Sequence, residues 1–279
     1  MNDDDAADGT PGRAEAGYRW PPATVTVTAA EQRRLHGWCD IDAEVFGDVA
    51  DPGLVARPPI LANTAAIRAT RPGWGPVHLV QRVLQRRPIA LDETLRVTGE
   101  VTALAPHARG SLVVSRWSYR DATGREVFVV VPEVLMLEPQ APAARRVGGA
   151  AAHDAPDDEI LAEHQCTPET TLGYCAGSSN LIHLDPDYAR GFGLRAPIIA
   201  GVQTINFLLS PLYRARRPQA LAFRVRFLRP VFWDEALTVR GRRDSAGALV
   251  ATRAVNADGR SVADLVVEPA DSGAAEEVA

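Results

Sequence analysis

Between residues 222 and 228 apolar and basic side chains alternate, with Phe223, Val225 and Phe227 set against Arg224 and Arg226. A period of two predicts a strand with one buried face. Three more strand-like runs follow at 236–242, 248–255 and 261–267. Asp244-Ser-Ala-Gly247 and Asn256-Ala-Asp-Gly259 separate them as turns, so consecutive hairpins are expected. Upstream, residues 197–213 (PIIAGVQTINFLLSPLY) are apolar on nearly every side, which predicts a buried helix with Pro197 at its start. The same order occurs earlier in the chain. An apolar helix is predicted from about Pro59 to Ala69, then strands near 77–85, 94–104, 111–119 and 126–137, with Asp121-Ala-Thr-Gly124 as a hairpin turn. One buried helix followed by an antiparallel meander is an α+β unit whose sheet must wrap the helix.

Short sequence matches support a duplication. Gly37-Trp38-Cys39 pairs with Gly173-Tyr174-Cys175, and Pro59-Ile60-Leu61-Ala62 with Pro197-Ile198-Ile199-Ala200. Arg87-Pro88-Ile89 with Asp92-Glu93 pairs with Arg229-Pro230-Val231 with Asp234-Glu235. The expected organisation is a disordered N-terminus at 1–17, one unit at 18–139, an Ala/Pro/Gly-rich linker at 140–158, a second unit at 159–269 and a small, acidic, disordered tail at 270–279. Two such units in one chain would pair about a pseudo-twofold axis, as a homodimer would.

Composition narrows the class. Across 279 residues, 46% are hydrophobic and 23% charged, the range of an ordinary globular protein. No run of about 18 apolar residues suggests a membrane span. The acidic start Met1-Asn2-Asp3-Asp4-Asp5 is unlike a secretion signal, so a cytoplasmic location is expected. Cys39, Cys166 and Cys175 are odd in number and dispersed, which predicts free thiols and no metal site. A net charge of −5 gives no general footprint for nucleic acid.

The segment 174–201, YCAGSSNLIHLDPDYARGFGLRAPIIAG, carries the candidate chemistry. Through Tyr174, Gly177, Asn180, Ile182, His183, Asp185-Pro186, Ala189, Pro197-Ile198 and Gly201 it resembles the signature of the MaoC-like (R)-specific enoyl-thioester hydratases and dehydratases. That resemblance implies a double hot-dog fold. It also implies water addition to a 2-enoyl-CoA or -ACP, or the reverse dehydration of a 3-hydroxyacyl thioester. The substrate would be an acyl thioester on coenzyme A or acyl carrier protein, with no further cofactor, and the chain would act as a monomeric double hot-dog or a homodimer of it. His183 would be the acid/base, Ser178 and Asn180 would position water or substrate, and the Gly201 N–H would serve the thioester oxygen, with Tyr174 and Ala200 beside it.

The chain departs from the pattern at three places: Ser178 stands for the family's Asp, Leu181 for its Pro, and Ala200 for the His before the final Gly. Two alternatives therefore stand beside the hydro-lyase: an acyl-thioester binder with impaired catalysis, and another reaction on the same fold, such as thioester hydrolysis. Aligning the first repeat without gaps sets Asp42 opposite Ser178 as a possible replacement carboxylate. Asp185-Pro186 is expected to cap and start a helix. Arg82, Arg86, Arg87, Arg224, Arg226 and Arg229 are solvated strand faces or contacts for carrier phosphates. A first-half helix ending at the Thr70–Gly75 segment would be shortened, and by resemblance would leave room for a bulky or branched acyl group.

Overall fold

The computed structural model describes residues 15–70, 73–138 and 158–269. All of the expected linker but Asp158, most of the expected N-terminal tail and the whole expected C-terminal tail lie outside the described residues. Gly17 is within them, and its N–H is bonded to the Val101 carbonyl at 2.8 Å.

The first half runs β1 (Arg19–Thr26), α1 (Ala29–Gly37), α2 (Pro52–Val55), α3 (Arg57–Thr70), β2 (Gly75–Gln85), β3 (Thr94–His107), β4 (Gly110–Arg120) and β5 (Glu126–Leu137). The second runs β6 (Glu159–Gln165), α4 (Pro168–Tyr174), α5 (Pro186–Gly191), α6 (Gly201–Ala215), β7 (Leu221–Phe227), β8 (Ala236–Arg243), β9 (Leu249–Asn256) and β10 (Ser261–Glu268). All strand neighbours are antiparallel, in the order β1-β3-β4-β5-β2-β7-β10-β9-β8-β6. This is a double hot-dog: two five-stranded sheets fused edge to edge through β2 and β7, each curved over a helical segment. No helix among the described residues is long and apolar enough to cross a membrane.

The turn signals act as expected. Gly124, Gly247 and Gly259 return their N–H groups to Asp121, Asp244 and Asn256 at about 3 Å. The two short edge strands, β1 and β6, were not foreseen, because neither shows a clean apolar alternation.

α6 is buried from Val202 to Tyr213, as its all-round apolar pattern predicts. Burying each of Ile205, Phe207, Leu208 and Leu209 contributes about 1.5–3 kcal/mol. Pro211 lies inside this helix and removes the N–H that the Phe207 carbonyl would accept. The Ser210 hydroxyl donates to that carbonyl at 3.3 Å. The helix starts later than Pro197 because residues 197–199 are held extended: Ile198 bridges Phe232, and Ile199 N–H donates to the Val231 carbonyl at 2.9 Å.

These contacts correct two of the repeat matches. In the first half, Val49 bridges Ala90 and Ala50 N–H donates to the Ile89 carbonyl at 2.8 Å. The third match is therefore in register, with Ile89 opposite Val231 and Glu93 opposite Glu235. The structural counterpart of 197–200 is 48–51, not 59–62, and α2 with α3 is the counterpart of α6. The first match slips by one helical turn. Thr28 and Thr167 are the N-caps of α1 and α4, which places Leu35, not Trp38, opposite Tyr174.

The first-half helix is broken, not shortened. α2 and α3 are separated by Ala56, just ahead of Pro58 and Pro59, and α3 then continues to Thr70. Proline withholds an N–H and clashes with the preceding turn, so a helix that meets two prolines restarts in a new direction.

Candidate active site

A cavity of about 300 Å³ lies at the junction of the halves. All six expected site residues, Tyr174, Ser178, Asn180, His183, Ala200 and Gly201, line it. Three come from one irregular stretch. Gly177 has φ +79°, a conformation open to glycine at little cost, and turns the chain so that Ser178 N–H reaches the Cys175 carbonyl at 2.8 Å. Asn180 then caps a 3₁₀ turn at Leu181–His183, its Oδ1 accepting from Ile182 N–H. Asp185 caps α5 by accepting from the N–H groups of Asp187 and Tyr188, with Pro186 at the first helical position as expected.

His183 is fixed from both sides of its ring. Nδ1 lies 2.9 Å from the Ile198 carbonyl, an acceptor only, so Nδ1 carries the proton. Nε2 is then a lone pair and accepts from Asn180 Nδ2 at 3.3 Å. Burial pulls the imidazole from its ordinary 6.5 down to about 4, against the Ile198 bond, which favours the protonated form. His183 is thus a neutral free base near pH 7.

The other expected residues have more limited means. Ser178 Oγ accepts from Asn180 N–H at 3.2 Å, so the hydroxyl shapes the loop. The Tyr174 hydroxyl turns away from the cavity and donates to Asn206 Oδ1 at 2.5 Å, leaving its ring as wall. Ala200 is the N-cap of α6 and supplies no side-chain bond, so the N-terminal N–H groups of α6 face the cavity uncapped by their own chain. Cys175 is buried, and burial raises its thiol to about 11, so it is no nucleophile near neutral pH.

The first half has the same frame without these groups. Its 3₁₀ turn at Ala43–Val45 is capped by Asp42 and ends in Val45, so Asp42 stands opposite Asn180 and Val45 opposite His183. Asp42 is exposed, accepts from Glu44 N–H and does not line the cavity, so it does not stand in for the missing carboxylate. Pro52, which has no N–H, opens α2 where Gly201 opens α6. The space is filled by a buried network: His36 Nε2 sits 2.9 Å from Asp51 Oδ2, which also accepts from Asn206 at 2.7 Å, while Asp51 Oδ1 accepts from Gly53 N–H.

Sequence reading missed the first half's share of the cavity. Arg57, Ile60, Leu61 and Thr64 come from the broken helix, His78 from β2 and Arg109 from the β3–β4 turn. Of the six arginines proposed for phosphates, only Arg229 lines it. Arg82, Arg86, Arg87, Arg224 and Arg226 are paired with Glu133, Glu126, Glu93, Glu268 and Asp264 on the strands. Among the described residues no carboxylate lines the cavity.

No family model matches the chain. A curated relative, 3-hydroxyacyl-thioester dehydratase X of Mycobacterium tuberculosis, is 30% identical over 165 residues, 56% of this chain. The match also spans 56% of that relative, a little over half its length. The crystal structure of HtdX from Mycobacterium tuberculosis superposes with a TM-score of 0.71 at 20% identity, covering 88% of this chain and 98% of that one. A MaoC-like dehydratase gives 0.69 at 18% identity, covering 90% and 97%. The chain has the double hot-dog fold of these MaoC-like proteins.

Proposed function

We propose that the chain is a hydro-lyase of acyl thioesters, hydrating a 2-enoyl thioester or dehydrating the 3-hydroxyacyl product. The observation that carries this reading is His183, held as a neutral base by Ile198 and Asn180 beside the uncapped start of α6. In the hydration direction His183 Nε2 takes a proton from water as the water oxygen bonds to the β-carbon. The C=C electrons move to the thioester oxygen as an enolate, which the Gly201 N–H and the positive end of α6 stabilise. The imidazolium then gives its proton to the α-carbon. One histidine moves the single proton and ends as it began, so no second acid/base is needed to balance the reaction. The relative named as a dehydratase supports the same chemistry.

Arg57, Arg109 and Arg229 on the cavity wall, with no carboxylate among the described lining residues, favour a substrate with an anionic carrier: the phosphates of coenzyme A or the phosphopantetheine of acyl carrier protein. Neither carrier adds a catalytic group, and the reading needs no other cofactor. The acyl chain lies among Ile60, Leu61, Val134, Leu137 and Val262.

The direct test is loss of enoyl-thioester absorbance across a panel of 2-enoyl-CoA and -ACP substrates, from short to long chain. Turnover abolished by His183→Ala is expected, and no turnover on any member would overturn the reading. The missing carboxylate favours one second reading, a thioester binder that does not turn over. Ser178→Asp separates the two: it is expected to speed the hydro-lyase by about tenfold or more, since a second acid/base contributes about 10²–10⁴. Tight binding without turnover in both wild type and Ser178→Asp would establish the binder.

A further inference from the structure

The cavity holds a second histidine for which the mechanism has no use. His78 lies on β2, where the pairing with β5 shifts register between His78 and Val80. Such a bulge re-aims the side chain it carries. The ring packs against Phe227, centroids 4.5 Å apart, and lies at the start of α6. A Cβ added to Gly201 would come 3.1 Å from His78 Nδ1, so the glycine is what admits the imidazole beside this helix start. Both ring nitrogens are buried and neither has a partner of ordinary hydrogen-bond geometry, the Val80 backbone being the one polar group near enough to pull on the ring. A buried donor left unpaired costs about 1–3 kcal/mol, and sites that carry such a group call for a partner.

Its placement is one-sided. The pseudo-twofold that relates Ile89 to Val231 also relates Arg82 to Arg224, which face each other across the β2–β7 seam. Beyond the bulge the matching stretch of the second half, Gln219-Ala220-Leu221-Ala222, holds no histidine. A histidine therefore reaches the helix start that keeps an N–H, Gly201, and none occupies the corresponding place toward Pro52. Burial holds His78 far down, at about 3, against an opposing pull from the Val80 backbone, so the ring is neutral throughout the physiological range and carries one N–H. A neutral imidazole beside a helix N-terminus is suited to polarising a carbonyl without giving up its proton.

We infer that His78 is a substrate-contacting residue of this site, supplied by the opposite half of the chain, whose ring N–H donates to the thioester carbonyl oxygen alongside the Gly201 N–H. The inference rests on the hydro-lyase reading and names the second donor for its enolate. Loss of one such donor lowers kcat by about 10²–10³.

The test uses the full chain with His78→Phe, which fills the same space without a donor, and His78→Gln, which keeps one. Thermal melting confirms that both fold. On 2-enoyl-CoA substrates His78→Phe is expected to lose about a hundredfold or more in kcat with little change in KM, and His78→Gln to recover part of it. A kcat within threefold of wild type for folded His78→Phe would overturn the inference. If wild type turns over no enoyl thioester, the hydro-lyase reading fails by itself and His78 is decided by binding. A non-reactive acyl-CoA ketone, with CH₂ in place of sulfur, should then bind less tightly to His78→Phe and shift the His78 ring nitrogens in NMR spectra. Equal affinity with unmoved resonances would overturn the inference on that arm.

Discussion

The Nδ1–H of His183 donates to the Ile198 carbonyl at 2.9 Å, and this bond decides which ring nitrogen keeps its lone pair. Ile198 can play that part because its segment is extended and bridged to Phe232. The tautomer is thus set by the chain just before α6, and the unprotonated Nε2, which accepts from Asn180, is a consequence of the fold.

On the hydro-lyase reading proposed above, His183 must be unprotonated to act as base in either direction. Its pKa is drawn down to about 4, so kcat/KM should stay level as pH falls from 7 and decline only near pH 4. A pH–rate profile with an acid limb near 6.5 would contradict this environment.

Asn180→Asp replaces the amide donor at Nε2 with a carboxylate. A nearby negative charge favours the imidazolium, so the acid limb should move upward from about 4 toward neutrality. The shift is read from the pH profile and, independently, from the His183 ring resonances. Asn180→Ala, with no charge, should leave the limb close to its original place.

Asp51 is fully buried and accepts from Asn206 and the Gly53 N–H while contacting His36. Asp51→Ala strands three polar groups at once. A cost of about 3–5 kcal/mol is expected in chemical denaturation, as for breaking other buried charged networks. A loss below about 1 kcal/mol would show that the cluster relaxes to other partners.

Stability should fall in mild acid. His78, His164 and His183 are held by burial at about 3, 4 and 4, below the ordinary 6.5. Between pH 6.5 and 4 the unfolded chain takes up protons that the native state refuses, so the native state loses stability as pH falls through that window. Each unit of depression is worth about 1.4 kcal/mol. The denaturation midpoint should be flat from pH 8 to 7 and drop steeply below 6, most simply followed by urea titration.

Much of this was legible before the structure. The four long strands of each half and their Asp/Asn…Gly turns follow from local rules, but only the last three of each form a meander: β2 and β7 instead pair with β5 and β10 and with each other, which no local rule foretells. The motif likewise assembled Asn180, His183 and Gly201, which share one continuous stretch. The repeat register was not legible: Pro59-Ile-Leu-Ala resembles Pro197-Ile-Ile-Ala in letters, yet strand bridges, not letters, fix Val49 opposite Ile198. Asp42 went astray for the same reason. His78, Arg57 and Arg109 were invisible because they reach the cavity only through the β2 bulge, the broken helix and the β3–β4 turn of the other half. A lone histidine on a strand carries no signal of what it will face.

That seam has a genetic consequence. Damage to the half that bears no motif should abolish function as readily as damage to the other, since the pocket closes only across β2 and β7. Two inactive chains, one altered at His183 and one interrupted in the first half, would complement each other only by exchanging whole halves. In heredity the chain behaves as one indivisible unit, although it is built as two.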